Sequence, residues 1–217
     1  MNLKNKKVLF LGDSITEGVG ASSGETNYVS VFAQISGAAV KNYGVSGTRI
    51  ARQIAKSEWE QCDRDFLERA DKMENDADVV VVFGGTNDFG HGDAKIGDFN
   101  SRSEYTFYGA MHILCEKLLN KYPDTEIVFM TPLHRMTENE KVKENGLPNE
   151  IPLSGYVDII KKVAGYYGLP VLDLFNTSGI QPKVDIIREK YMPDGLHPSD
   201  DGAKRIAERL YGFLSSL

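Results

Sequence analysis

The N-terminal part of the chain contains the segment Lys7-Val8-Leu9-Phe10-Leu11-Gly12-Asp13-Ser14. Its short run of bulky apolar residues, closed by a Gly-Asp-Ser turn, predicts a β-strand over residues 7–11 that is buried on both faces, as in a parallel sheet. Ligands of open α/β sheets bind outside the carboxyl ends of the strands. A serine just past this strand is therefore placed where a nucleophile is useful, although the same three residues also suit an ordinary turn.

Four further aliphatic runs repeat the pattern and alternate with longer helical patterns. Strands are predicted at residues 39–43, 78–83, 126–130 and 170–174. Helices are predicted at residues 27–36, 103–121, 153–167 and 199–214, with one helix or two at 58–73. Ser199 is the expected N-cap of the last helix. Because strands alternate with helices and no repeat or linker interrupts them, the sequence predicts one doubly wound, three-layer α/β domain over residues 1–217.

Composition restricts the functions that the chain can perform. The 217 residues carry a formal net charge of −6, and no basic run exceeds two residues, so neither a nucleic acid nor a membrane surface is an expected partner. The longest aliphatic run, residues 79–83, is too short to span a bilayer, and residues 8–11 are too short for the core of a signal peptide. Cys62 and Cys115 form no disulfide framework, which favours a cytoplasmic location.

Long loops follow three of the predicted strands, at residues 12–25, 84–102 and 132–152. Gly47, after the second strand, allows a backbone N–H to approach an oxyanion without a Cβ in the way. Asn87, after the third strand, has a side-chain amide that can donate to the same oxyanion. An Asx-turn is the alternative interpretation of Asn87. The loop over residues 132–152 is compatible with a mobile lid or with a solvated connection.

A possible base lies near the C-terminus, in Asp194-Gly195-Leu196-His197-Pro198. An Asp and a His three residues apart on a tight turn can hydrogen-bond directly, so that the carboxylate orients the imidazole and stabilises its protonated form. The other histidines have no spaced partner and are given no role; they are His91, His112 and His134. A metal held by Asp13, Asp88, Asp194 and His197 is conceivable, but the usual ligand spacings are absent, so no metal is predicted.

Taken together, four segments resemble the sequence blocks of the SGNH (GDSL-type) hydrolase family. They are Gly12-Asp13-Ser14 with Gly18, residues 43–47 ending in Gly47, Gly85-Thr86-Asn87-Asp88, and residues 194–198. The resemblance implies a flavodoxin-like, five-stranded parallel sheet in the order 2-1-3-4-5 and hydrolysis of esters or thioesters without a cofactor. The GxSxG motif of the α/β-hydrolases is absent.

The resemblance also implies a role for each residue. Ser14 is the expected nucleophile, His197 the base and Asp194 its orienting acid. The oxyanion hole is expected from the backbone N–H of Ser14, that of Gly47 and the side chain of Asn87. Three neighbours are expected to line the substrate site, namely Asp13, Asp88 and Phe89.

The expected activity is that of a serine esterase acting on short-chain, in particular acetyl, esters of small molecules or carbohydrates. Neither long loop, 84–102 or 132–152, has the extended apolar surface expected of a long-chain lipase. A lysophospholipase or thioesterase of the same family remains an alternative. So does a flavodoxin-like binding domain or an inactive scaffold of the same fold. The sequence does not indicate the oligomeric state.

Overall fold

Five parallel strands form the centre of the molecule in a computed structural model, which describes residues 1–217. They are β1 (Lys7–Gly12), β2 (Ala39–Gly44), β3 (Val79–Phe83), β4 (Glu126–Met130) and β5 (Val171–Leu172). Their order in the sheet is β2-β1-β3-β4-β5. The predicted parallel sheet and its strand order are therefore confirmed.

Nine α-helices and one 3₁₀ turn (Glu60–Asp63) connect and flank the strands. The helices are α1 (Ser14–Glu17), α2 (Tyr28–Ser36), α3 (Phe66–Lys72), α4 (Thr86–Gly90), α5 (Phe107–Lys121), α6 (Leu153–Tyr166), α7 (Leu174–Thr177), α8 (Asp185–Tyr191) and α9 (Asp200–Ser216). None of them is both long enough and apolar enough to cross a lipid bilayer.

The core consists of two apolar layers, one on each face of the sheet. Alternate strand residues point to opposite faces, so Leu9 and Leu11 of β1 pack with helices α3, α5 and α6. Val8 and Phe10 of the same strand pack with α2 and α9 on the other face. This arrangement confirms the three-layer α/β/α architecture.

The edges of the sheet differ from the sequence prediction. β2 was expected to be buried on both faces, but it is an outer strand and all six of its residues are partly or fully exposed. Its polar residues Lys41 and Asn42 are compatible with that position. β5 has only two residues, because Asp173 directly after it caps α7 by accepting a hydrogen bond from the N–H of Asn176.

Helix boundaries depend on capping side chains. Asp65 accepts a hydrogen bond from the N–H of Glu68 and so starts α3, which divides the predicted segment 58–73 into the 3₁₀ turn and a helix. The helix predicted from residue 103 begins at residue 107, because Thr106 is its N-cap. Ser199 caps α9 as predicted. The sequence analysis missed the short helices α1, α4, α7 and α8, which have at most seven residues each.

Candidate active site

Ser14 lies at the carboxyl end of β1, as the first residue of α1. The side chain of Asp13 caps this helix by accepting a hydrogen bond from the N–H of Ile15 at 3.0 Å. Because Ser14 opens the helix, its own backbone N–H has no acceptor within the helix. The turn therefore holds a hydroxyl and a backbone donor together at the edge of the sheet.

The imidazole of His197 joins this hydroxyl to a carboxylate. Ser14 Oγ lies 3.1 Å from His197 Nε2, although the two residues are 183 positions apart in the chain. On the other side of the ring, His197 Nδ1 lies 2.7 Å from Asp194 Oδ2. A carboxylate on Nδ1 favours the tautomer in which Nε2 accepts a proton. The arrangement thus allows a proton to pass from the serine hydroxyl to the ring.

The Asp194 carboxylate is itself held by the turn on which it lies. Its Oδ1 accepts the backbone N–H groups of Leu196 and His197 at 2.8 and 2.7 Å. Burial opposes the ionised form, but the backbone N–H and the ring of His197 outweigh it and lower the pKa of Asp194 below its usual value. The side chain therefore remains an anion that can stabilise a protonated His197.

The loop after β2 lies directly against α1. A Cβ on Gly44 would collide with the backbone of Thr16 and Glu17, so only glycine permits this approach. Gly47 in the same loop has φ of +74°, a left-handed conformation that favours glycine. Its backbone N–H donates to no other protein atom, and it is therefore free to bind a ligand oxygen.

Asn87 lies in the first turn of α4, at the carboxyl end of β3. Its Nδ2 donates a hydrogen bond to the carbonyl of Thr48 at 3.0 Å, which joins it to the loop that contains Gly47. An amide nitrogen has two N–H groups, and the second is left for a ligand. The structure therefore brings Asn87 and Gly47 together, as an oxyanion hole requires.

The three residues expected to line the substrate site lie instead beneath it. Asp13, Asp88 and Phe89 are at most 3% exposed. The carboxylate of Asp88 accepts the backbone N–H groups of Ile50 and Ala51, both at 2.9 Å. Phe89 packs edge to face on a neighbouring tyrosine ring. The expectation that these three side chains contact substrate is corrected: Asp13 and Asp88 fix the backbone around the site, because buried carboxylates need hydrogen-bond donors.

Two charged residues that sequence analysis had given no role connect the strand ends. Glu17 accepts hydrogen bonds from the backbone N–H of Ser46, at 2.7 Å, and from its hydroxyl. The guanidinium of Arg69 donates to the carbonyls of Gly12 and Tyr43, at 2.9 and 2.7 Å. Burial lowers the pKa of Arg69 to about 10, which still leaves it charged at neutral pH. No sequence motif marks Arg69, because an arginine on an amphipathic helix normally faces solvent.

The loop over residues 132–152 supports the backbone on both sides of Asn87. Arg135 donates to the carbonyl of Thr86 at 3.3 Å. Lys143 donates to the carbonyl of Asp88 at 2.9 Å, and burial lowers the pKa of its ammonium group. The same loop reaches the C-terminal turn, where the N–H of Met136 donates to the carbonyl of Gly195.

Three solved protein structures place this arrangement among known folds. One superimposes with a TM-score of 0.86 and 32% sequence identity, covering 100% of this chain and 99% of its own. A protein from Lactobacillus plantarum gives 0.83 and 28%, with 98% of each chain covered. The acetyl xylan esterase AlAXEase gives 0.62 and 20%, with 96% of this chain and 99% of its own covered, and shows likeness of fold. Among curated proteins, none matches the sequence significantly.

The fold and the serine at the end of its first strand agree with the class expected from the sequence, the SGNH-type α/β/α hydrolases. The sequence profile of the GDSL-like lipase/acylhydrolase family matches residues 10–205. The chain therefore belongs to that family, which confirms the resemblance to SGNH hydrolases, and it is a hydrolase of ester bonds.

Proposed function

We propose that the chain is a serine esterase that hydrolyses short-chain esters, acetyl esters in particular, of small molecules or carbohydrates. The observation that carries the proposal is the line of contacts from Ser14 Oγ through His197 to Asp194, at 3.1 and 2.7 Å. A serine hydroxyl is a weak nucleophile until an adjacent base takes its proton. The two contacts support His197 as this base and Asp194 as the carboxylate that orients it.

The proposed reaction has two steps. His197 Nε2 takes the proton of the Ser14 hydroxyl while Oγ attacks the ester carbonyl, whose oxygen becomes an anion. The N–H groups of Ser14, Gly47 and Asn87 stabilise this anion. The protonated imidazole then gives its proton to the departing alcohol, and the acyl group remains on Ser14 Oγ. A water molecule, deprotonated by the same ring, hydrolyses the acyl-enzyme and restores the serine.

The composition of the two long loops supports a short acyl group. Neither loop, 84–102 or 132–152, has the extended apolar surface expected of a long-chain lipase. A lysophospholipase is therefore the less favoured alternative. The cytoplasmic location remains a prediction, supported by two free cysteines.

Ser14→Ala and His197→Ala test the assignment. Each variant is expected to lower kcat for p-nitrophenyl acetate by roughly 10⁴–10⁶-fold while the protein stays folded. Ser216→Ala, an exposed serine at the end of α9, is the matched control and is expected to retain wild-type activity. A fluorophosphonate probe is expected to label wild type and the control but not Ser14→Ala. Wild-type activity in either site variant would contradict the proposal.

The acyl group itself is tested by a series of p-nitrophenyl esters from acetyl to octanoyl. We expect kcat/KM to be highest for the shortest chains, because neither long loop offers the extended apolar surface that a long acyl chain would contact. Acetylated sugars then test the alcohol part. A maximum at octanoyl would favour the lysophospholipase alternative.

A further inference from the structure

A cavity of about 700 Å³ lies beside the proposed oxyanion hole. Two of its lining residues connect it to the site. Cys62 contacts the Gly47 loop so closely that a Cβ on Gly47 would collide with its sulfur. His91 follows Asn87 by four residues and donates its backbone N–H to the Asn87 carbonyl. The two side chains bond to consecutive residues of one loop, Asn87 to the carbonyl of Thr48 and His91 to the guanidinium of Arg49. The cavity is therefore separated from Gly47 by Cys62 and from Asn87 by the turn that ends at His91, and its volume suits a small molecule.

A buried arginine fixes the chemistry of His91. Arg49, only 3% exposed, donates from Nη1 to His91 Nδ1 at 2.8 Å. An arginine has no acceptor, so Nδ1 must accept and the ring proton must be on Nε2. Burial, together with the charge of Arg49, lowers the pKa of His91 to about 4. His91 is therefore a neutral donor at physiological pH, and its Nε2 has no protein partner.

Arg49 also has an unused donor. Its Nη2 contacts Ser57, Asp63 and the carbonyl of Cys62, but its buried Nε has no hydrogen-bond partner. Most buried polar groups are hydrogen-bonded, so this unpaired donor leaves the hydrogen bonds of Arg49 incomplete. This unpaired group belongs to a side chain that lines the cavity.

The remaining lining combines both signs of charge with one aromatic face. Lys56 is accompanied by Glu58, Asp93 and Glu144, so neither an anion nor a cation is favoured throughout the cavity. Trp59 lines the same cavity and is 63% exposed, unusual for the only tryptophan of the chain. An aromatic face beside alternating donors and acceptors matches a sugar ring, whose C–H faces are apolar and whose hydroxyl groups both donate and accept.

We propose that this cavity binds the sugar part of an O-acetylated pyranoside, with Trp59 against the ring face and His91 Nε2–H donating to a hydroxyl group. The inference rests on the proposed esterase function, because the acetyl group must reach Ser14 from this cavity. A larger cavity of about 840 Å³ shares Gln53 and residues 55–58 with it. That cavity is lined by neither Cys62 nor His91, so it lacks the connection to Gly47 and Asn87.

The binding test uses the Ser14→Ala protein, in which bound ester is not consumed, and a monoacetylated methyl xyloside. Because Trp59 is the only tryptophan, its emission reports this cavity alone. We expect a saturable blue shift as the sugar covers the indole. His91→Ala in the same background is expected to weaken binding roughly fivefold to tenfold, the effect of one hydrogen bond. Ile54→Ala, a 66% exposed neighbour that does not line this cavity, is the matched control and leaves binding unchanged.

The catalytic test compares two esters in the Ser14-containing enzyme. Trp59→Ala is expected to lower kcat/KM for the acetylated xyloside about tenfold more than for p-nitrophenyl acetate, or ~1.4 kcal/mol of selectivity. Ordinary KM values extend up to ~1 mM, so the acetylated xyloside is titrated to about tenfold above that concentration. If no saturable shift appears while p-nitrophenyl acetate is still hydrolysed in a Ser14-dependent manner, the sugar site is overturned and the esterase function stands. Absence of Ser14-dependent hydrolysis of either ester overturns the esterase function itself.

Discussion

Two of the three proposed oxyanion donors are positioned by a hydrogen bond that another part of the site provides. Asn87 Nδ2 already donates to the Thr48 carbonyl at 3.0 Å, which restricts the rotation of its side chain. Gly47 is held through its neighbour Ser46, which donates to Glu17. Donors fixed before the substrate arrives need no reorganisation when the oxyanion forms, and this is the origin of their large effect on rate.

At Asn87 this preorganisation is directly testable. Asn87→Ala removes the amide donor, and we expect kcat for p-nitrophenyl acetate to fall by about 10²–10³-fold with little change in KM. Asn120→Ala, on the exposed side of α5, is the control and is expected to behave as wild type. A loss confined to KM would make Asn87 a group that binds substrate in its ground state, contrary to the oxyanion assignment.

Among the larger elements, the loop over residues 132–152 has a role that neither a lid nor a solvated connection describes. Lys143 Nζ is buried and donates to the carbonyls of Asp88 and Gly92, at 2.9 and 2.6 Å. Arg135, also buried, reaches the carbonyl of Thr86. The two cations therefore hold the carbonyl groups immediately before and after Asn87, and the loop acts as a brace for α4.

Lys143→Met tests this brace by keeping the length of the side chain and removing its donors. Buried carbonyl groups left unpaired are expected to lower the free energy of unfolding by about 2–3 kcal/mol. Displacement of α4 is expected to lower kcat roughly 10–100-fold at a temperature where the variant is folded, with KM within about twofold. Lys141→Met, two residues earlier and exposed, is the matched control. A variant that loses stability but retains wild-type kcat would restrict Lys143 to a structural role.

The sequence predicted the elements whose signals are local. β1 and β3 are continuous aliphatic runs, and the Ser14 and His197 segments are compact motifs, so strands and candidate site were identified together. The contacts of buried cations with backbone carbonyl groups could not be predicted in this way. Arg69 and Lys143 act on carbonyl groups more than 25 residues away, and only the folded chain shows that these cations are buried. His91 was set aside because its partner Arg49 lies 42 residues earlier.

For the whole molecule, two buried groups next to the site make stability depend on pH in opposite directions. Burial raises the pKa of Asp13 to about 7 from 3.8, so stability is lost as pH rises through that window, where only the folded state keeps the proton. Burial lowers the pKa of His91 to about 4 from 6.5, so stability is lost as pH falls through that window, where only the unfolded state binds the proton. The first loss begins near pH 4 and is complete near pH 7, and the second begins near pH 6.5 and is complete near pH 4.

Replacing each group by an uncharged side chain of similar shape separates the two effects. His91→Gln keeps an acceptor for Arg49. When the pH falls from 7 to 4.5, the unfolding free energy of this variant is expected to decrease by roughly 2–3 kcal/mol less than that of wild type. Asp13→Asn keeps the N-cap acceptor for Ile15. When the pH rises from 4 to 8, wild type is expected to lose up to roughly 4 kcal/mol of unfolding free energy through Asp13, and this variant is expected not to show that loss. Urea denaturation at each pH measures both. Each variant removes the titration of one side chain only. If the plots of unfolding free energy against pH are parallel for wild type and a variant, the replaced side chain has the same pKa in the folded and unfolded states. That result would contradict the effect of burial described for it.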